Sequence, residues 1–376
     1  MRNRFLFSDA DMFFVSAELA HNPALKGLPV MVGAASGRGV ISAASYEARK
    51  FGIHSGMSGY KAHKLCPHGI YLRGNYRLYS QVSKRMFSIF SNYSPDVHVR
   101  SIDEGFIEIS SCLSLFGGEE ELALQIKDEI KETLGITISI GIASTLTISK
   151  IATEEDKPDG LTIIPQGGEK EFLRKLPIGR IPGIGKVAQA KFQKKGIYLI
   201  GDLYRYNSKE KMVRKFGSYG KSLWNLTNGI SNYQEKQSSH SKSISNESTF
   251  YKDVTNRNEL EKKVMLLSEK AGFWLREKDL KAKTVFVKIR YSGFKTITRR
   301  LTIQSCIESD NEIFHIAWRL ISKEFNAPIR LVGVGLSNFQ ESEDLFSFTK
   351  EKDRSFDKAI DKVREKYGRN TIYHGK

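Results

Sequence analysis

The chain has 376 residues, 40% of them hydrophobic and 27% charged, which is too long for one ordinary domain and apolar enough for several cores. No run approaches the ~20 consecutive apolar residues of a membrane span, the charged start Met1–Ala10 does not read as a secretory signal, and the scattered Cys66, Cys112 and Cys306 argue against a disulfide framework or structural zinc. A cytoplasmic protein with no membrane partner is therefore expected, and a monomer is the expected state.

The net charge of +17 is unevenly spread: residues 1–167 hold 17 Lys and Arg against 18 Asp and Glu, 168–339 hold 33 against 16, and 340–376 hold nine against eight. One contiguous stretch thus reads as a grip on a polyanion. Solubility charge is the alternative, but it has no reason to leave the first 167 residues neutral.

Phe5-Leu6-Phe7 reads as a short buried strand ending at Ser8-Asp9. Asp11 to Ala20 then reads as an apolar-faced helix stopped by His21-Asn22-Pro23, with Asp11 as its cap and residues 11–14 presenting free N–H groups. Strands are expected at 29–32 and 40–41 and helices at 46–50 and 76–90. Val97–Ile102 and Phe106–Ile109 should flank a turn, Asp103-Glu104-Gly105. A helix over 119–134, a strand over 136–142 and a helix over 147–154 complete an α/β region. From 168 the texture changes to short helices, lysines and glycines, and 231–246 is Ser/Asn-rich like a linker. Beyond it comes a βαββαβ pattern, with helices at 256–275 and 311–324 and strands at 284–291, 296–303 and 329–337.

A two-metal phosphoryl-transfer site needs carboxylates from separate segments meeting at a sheet edge. Asp9 and the pair Asp103-Glu104 are the candidates, although either alone is commonly a helix cap or surface turn. Ser8-Asp9-Ala10-Asp11-Met12-Phe13-Phe14 and Ser101-Ile102-Asp103-Glu104-Gly105-Phe106 resemble the two signature motifs of the Y-family DNA polymerases, closest to the DinB (DNA polymerase IV) group. Asn22 to Gly27, Tyr46 to Gly52 and Lys157-Pro158-Asp159-Gly160 match further blocks of that family, in order. Gly105 departs from the usual alanine and Glu108 from a frequent aspartate, without removing a carboxylate.

The resemblance implies an α/β palm (1–18 and 75–167) with small fingers (19–74) and a helical helix-hairpin-helix thumb (168–230). The linker (231–246) then leads to a C-terminal α+β little-finger domain (247–340) and a tail (341–376). It implies a low-fidelity, translesion DNA polymerase that adds dNTPs to a primer on template DNA with two Mg²⁺ ions, for which Mn²⁺ could substitute. Asp9, Asp103 and Glu104 would hold metal with the Ala10 carbonyl, and Asp11 would not. Tyr46, Arg49 and Lys157 would grip the triphosphate. Phe14 would be the steric gate at the sugar, while Phe13 lies beside it in the nucleotide site and on the core side of the helix.

Sixteen of residues 33–59 are Gly, Ala or Ser, which suits a permissive lid over the nascent base pair. Ile181-Pro182-Gly183-Ile184-Gly185-Lys186 reads as the hairpin of a phosphate-binding turn, with Gly183, Gly185 and Lys186 at the backbone of DNA. Lys288, Arg290, Arg299 and Arg300 are the candidate DNA contacts of the last domain. Asp344-Leu345-Phe346 resembles a degraded sliding-clamp peptide, making Leu345 and Phe346 clamp-binding candidates. A nucleotidyl cyclase and a catalytically silent DNA-binding scaffold are the competing readings. Neither needs both the carboxylates and the basic half.

Overall fold

A computed structural model describes residues 3–34, 37–230, 241–341, 351–368 and 371. The chain forms two compact units, Met1–Glu235 and Lys236–Lys376. Among the described residues, no helix is long and apolar enough to cross a membrane.

In the first unit, β1 (Phe5–Ala10) leads into α1 (Phe13–His21). A small region follows, with β2 (Val30–Gly33), β3 (Ile41–Ala44), α2 (Tyr46–Arg49), α3 (Gly59–Leu65) and β4 (Ile70–Leu72). The chain returns through α4 (Tyr76–Phe90), β5 (Val97–Val99), β6 (Glu104–Glu108), α5 (Glu119–Leu134), β7 (Ile138–Ala143), α6 (Leu146–Thr153) and β8 (Leu161–Ile163). The small strands form a sheet in the order β3-β2-β4, and the main sheet runs β5-β6-β1-β7-β8.

Period-two alternation decides what each face of β1 does. Leu6 joins the main core with Ile107, Ile140, Ile142 and the inward residues of α4 and α5. Phe5 and Phe7 point the other way, into a small cluster with Phe106 and, from α6, Leu146. Asp9 continues the Phe5–Phe7 face, and Glu104 continues that of Phe106. The helix α5 matches its expected span: three glutamates sit in its first turn, where the dipole favours them, and left-handed Gly135 closes it. The unit ends in short helices, α7 (Glu169–Arg174), α8 (Lys186–Gln193), α9 (Lys209–Phe216) and α10 (Ser218–Thr227), around a separate core.

In the second unit, β9 (Ser243–Val254), α11 (Arg257–Glu277), β10 (Leu280–Tyr291), β11 (Thr296–Ile307), α12 (Asp310–Ser322) and β12 (Ile329–Glu341) give the expected βαββαβ order. The sheet is wholly antiparallel, β11-β10-β12-β9. Val285, Val287, Ile289, Val332, Val334 and Leu336 share its core face with α11 and α12. The strand β9 starts inside the stretch read as linker, and the region read as a tail contains α13 (Glu351–Tyr367). This helix is held by charge: Arg276 bonds Asp361 at 2.7 Å, and Arg364 bonds the buried Glu269 at 2.6 Å. The clamp-peptide candidates Leu345 and Phe346 lie outside the described residues.

Candidate active site

Strand pairing assembles the carboxylates. Asp9 lies directly across from Glu104 in the β1–β6 ladder, and the Ala10 N–H donates to the Asp103 carbonyl at 2.9 Å. The strand after the turn, β6, begins two residues earlier than expected, at Glu104 instead of Phe106. The Ser101 hydroxyl accepts from the N–H groups of Asp103 and Glu104 (3.2 and 3.1 Å) and donates to the Asp103 carboxylate. Asp103 therefore sits in the turn, while Glu104 is already the first strand residue. Gly105 has no room for a side chain: a Cβ there would stand 2.4 Å from the Phe87 ring and 2.9 Å from the His98 carbonyl.

Two lysines neutralise the acids. The Lys157 ammonium is 2.7 Å from Asp9 and 2.7 Å from Glu154, and Lys150 is 2.6 Å from Glu104 while lying over the Phe7 ring. Burial lifts the Asp9 carboxyl to about 6 despite the pull of Lys157, with Glu154 and Asp103 adding to the rise. Burial works against the Lys157 ammonium, but Asp9 and Glu154 outweigh it and raise its pKa.

Among the described residues, no three His, Cys, Asp or Glu side chains converge closely enough to hold a metal ion. The donor set nevertheless fits divalent metal: hard carboxylate oxygens converge from two adjacent strands, and ammonium groups occupy the positions facing them.

Asp11 does not cap α1, contrary to expectation. The helix α1 begins after Met12, which adopts left-handed backbone, and has no side-chain cap. The Asp11 carboxylate is buried and accepts from the Thr137 and Ser139 hydroxyls and the Asp159 N–H, each at 2.8 Å. Its own N–H is taken by the Thr137 carbonyl at 3.0 Å, so it is not free for phosphate. A short polar residue before a helix looks the same in sequence whether it caps or anchors.

Phe13 is buried in the main core, whereas Phe14 is half-buried and stacks on Tyr79 at 4.6 Å between ring centroids. The Tyr79 hydroxyl donates to Glu18 at 2.6 Å, which fixes that stacking partner. Tyr46 opens α2, where Ser45 caps the helix, and Arg49 lies over its ring at 4.7 Å. Burial raises the Tyr46 phenol, and the Asp11 carboxylate adds to this, so the ring stands within the field of the acidic cluster. The carboxylates open on a cleft of about 460 Å³ lined by Asp9, Glu104, Lys150 and Glu154 on one side and by Arg180 to Gly185 on the other. In that turn Ile181 and Ile184 are buried while Gly183, Gly185 and Lys186 are exposed, and Gly183 has φ +90°.

In the second unit, register sorts the basic candidates. Lys288 and Arg290 share the face of the sheet away from the helices, with Arg300, which pairs with Phe286. Arg299 pairs with Val287 and so belongs to the helix-side face, where it bonds Glu324 at 2.7 Å. This separates it from the other candidates, because adjacent strand residues face opposite ways. Lys288 is itself paired with Glu247 at 2.9 Å.

Comparison with known proteins agrees with this architecture. The impB/mucB/samB family matches residues 8–154, its C-terminal domain residues 241–346, and the family's helix-hairpin-helix motif residues 167–197. The DNA polymerase IV of Dehalococcoides mccartyi strain CBDB1 is 39% identical over 379 residues, covering 99% of this chain and 97% of that protein. The DNA polymerase IV of Staphylococcus aureus strain JH9 is 37% identical over 342 residues, covering 90% and 96%. Among solved structures, a Y-family DNA polymerase chimera, Dbh-Dpo4(243-245)-Dbh, superposes with a TM-score of 0.79 at 26% identity, covering 90% of this chain and 99% of its own. An insertion ternary complex of Dbh DNA polymerase gives 0.61 at the same identity and coverage.

Proposed function

The chain belongs to the impB/mucB/samB family of Y-family DNA polymerases, and from that premise we propose how its residues divide the work. It is a DNA-directed DNA polymerase of the low-fidelity, translesion kind, and such enzymes need divalent metal ions. The regions 1–18 with 75–167, 19–74, 168–230 and 247–340 act as palm, fingers, thumb and little finger. Its substrates are primer-template DNA and dNTPs, and it works as a monomer in the cytoplasm.

Asp9, Asp103 and Glu104, with the Ala10 carbonyl, hold two Mg²⁺ ions, and Mn²⁺ can replace them. When bound, the metal pair supplies charge neutralisation at the attacking oxygen and at the leaving pyrophosphate. Tyr46, Arg49 and Lys157 orient the triphosphate and offset its charge. Phe14 stands at the sugar and excludes a 2′-hydroxyl, backed by Phe13 in the core. Gly183, Gly185 and Lys186 meet the DNA backbone without reading bases, as do Lys288, Arg290 and Arg300. Docking of Leu345 and Phe346 on a sliding clamp is the remaining element of the reading.

The observation that carries it is the pairing of Asp9 opposite Glu104, with Asp103 hydrogen-bonded beside them through Ala10. Primer extension tests it. Asp103→Ala should lose nearly all incorporation while duplex binding persists, and retention of more than about a tenth of the wild-type rate would refute the assignment.

A further inference from the structure

The family assignment leaves the buried Asp11 carboxylate, the Lys127–Asp159 ion pair and the left-handed backbone of Asp159 without a role. All three belong to one construction around the loop that joins α6 to β8 and carries Lys157. A lysine reaches its target on a flexible four-carbon stem, so its position depends on the backbone that bears it.

That backbone is pinned. Asp159 has φ +54°, a region that a non-glycine residue occupies only with support. Its N–H donates to Asp11 at 2.8 Å, and its carboxylate accepts from Lys127 at 2.6 Å and Lys131 at 3.1 Å. Burial would raise the Asp159 carboxyl, but the two lysines hold it below the ordinary aspartate value. Lys127 is buried and also donates to the carbonyls of Ile138 at 2.8 Å and Gly160 at 3.3 Å, tying the loop to β7. At Gly160 a Cβ would lie 1.9 Å from the Asp156 carbonyl oxygen, so the loop folds tightly onto itself just after Lys157.

Asp11 fastens this loop to the joint between β1 and α1, two residues from Asp9. Lys157 in turn contacts Asp9 at 2.7 Å. The strand end therefore holds one carboxylate facing the cleft and a second, turned inward, that fixes the cation opposite the first. We propose that Asp11, with the Lys127–Asp159 pair behind it, is a positioning residue that sets Lys157 at the height where an incoming triphosphate meets the carboxylates. The inference rests on the reading of Lys157 as a triphosphate ligand.

A double-mutant cycle on the full chain tests it. Wild type, Asp11→Ala, Lys157→Ala and the double variant are compared in single-nucleotide incorporation at saturating primer-template, with kcat and KM for dNTP measured separately. Asp11→Ala should raise KM about tenfold, with a smaller loss in kcat and unchanged DNA affinity. Adding Lys157→Ala to it should cost little more, because both remove the same placed ammonium. Asp11→Asn keeps an oxygen for the Asp159 N–H and should recover most of the KM.

Additive losses, or a folded Asp11→Ala with wild-type KM, overturn the positioning role. If Asp11→Ala does not fold, Lys127→Gln takes its place in the cycle and is judged by the same coupling. An unchanged KM in Lys157→Ala alone overturns the assignment of Lys157 and the inference with it, whereas additivity overturns the inference alone.

Discussion

Replacing Asp9 by asparagine should make the protein inactive and more stable at once. Burial, reinforced by Glu154 and Asp103, lifts this carboxyl from an ordinary 3.8 to about 6, and its side chain is only 21% exposed. A raised aspartate pKa means that the folded state binds the proton more tightly than the unfolded state. Folding is therefore opposed wherever the unfolded carboxyl is ionised, and the penalty grows from about pH 4 to pH 6 and then levels off. The full shift corresponds to about 3 kcal/mol. That value is already net of the attraction of Lys157, and residual solvent exposure screens part of it, so about 2 kcal/mol is expected at pH 8. For a unit of this size that is roughly 4–8 °C in Tm. Melting wild type and Asp9→Asn in metal-free buffer at pH 8, 5 and 4 checks it. The advantage should fall to about half at pH 5 and nearly vanish at pH 4. A variant that melts at or below wild type at pH 8 would show that the Lys157 pair outweighs the burial of the acid, contrary to the argument.

Other expectations bear on the remaining sites. Phe14→Ala should raise ribonucleotide incorporation by about a hundredfold or more with little loss on dNTPs, since Phe13 and not Phe14 fills the core; unchanged sugar selection would remove Phe14 from the gate. Lys288→Ala with Arg290→Ala should flatten the slope of log DNA affinity against log salt by about one to two units, with the pairing to Glu247 favouring the lower figure. Glu247→Gln should have the opposite effect, tightening DNA binding at low salt by freeing Lys288, as measured by anisotropy titration. Arg364→Ala removes the guanidinium from the buried Glu269 and should cost about 3 kcal/mol in the unfolding of the second unit, measured by denaturant titration.

The sequence shows most clearly what alternation and periodicity encode. The span of α5, the order of the βαββαβ unit and the inward positions of β10 were legible because apolar residues recur at the matching period. Three features were not. The first strand of the second unit is Ser/Asn-rich because it is an edge strand with an open face, so its composition reads as linker. The helix α13 is densely charged, and the acidic and basic residues that seat it pair with Arg276 and Glu269 far away in the chain, so its composition reads as a tail. Arg299 and Arg300 could not be separated without knowing which face each strand presents, which only the register with β10 supplies. Within the site, the motifs pointed to Asp9, Asp103 and Glu104. The inward turn of Asp11 depends instead on Thr137, Ser139 and Asp159, more than a hundred residues away.

The glycine at 105 is a packing requirement of this chain. Read position by position, glycine in place of the family's usual alanine looks like erosion of a motif. In the folded chain the space a methyl group would take at 105 is filled by an aromatic ring from α4 and closed by the His98 carbonyl. Alanine here would drive a methyl group into the Phe87 ring and toward the His98 carbonyl. A smaller side chain at 87 would relieve the ring contact alone, so Gly105→Ala should stay destabilising even in that background.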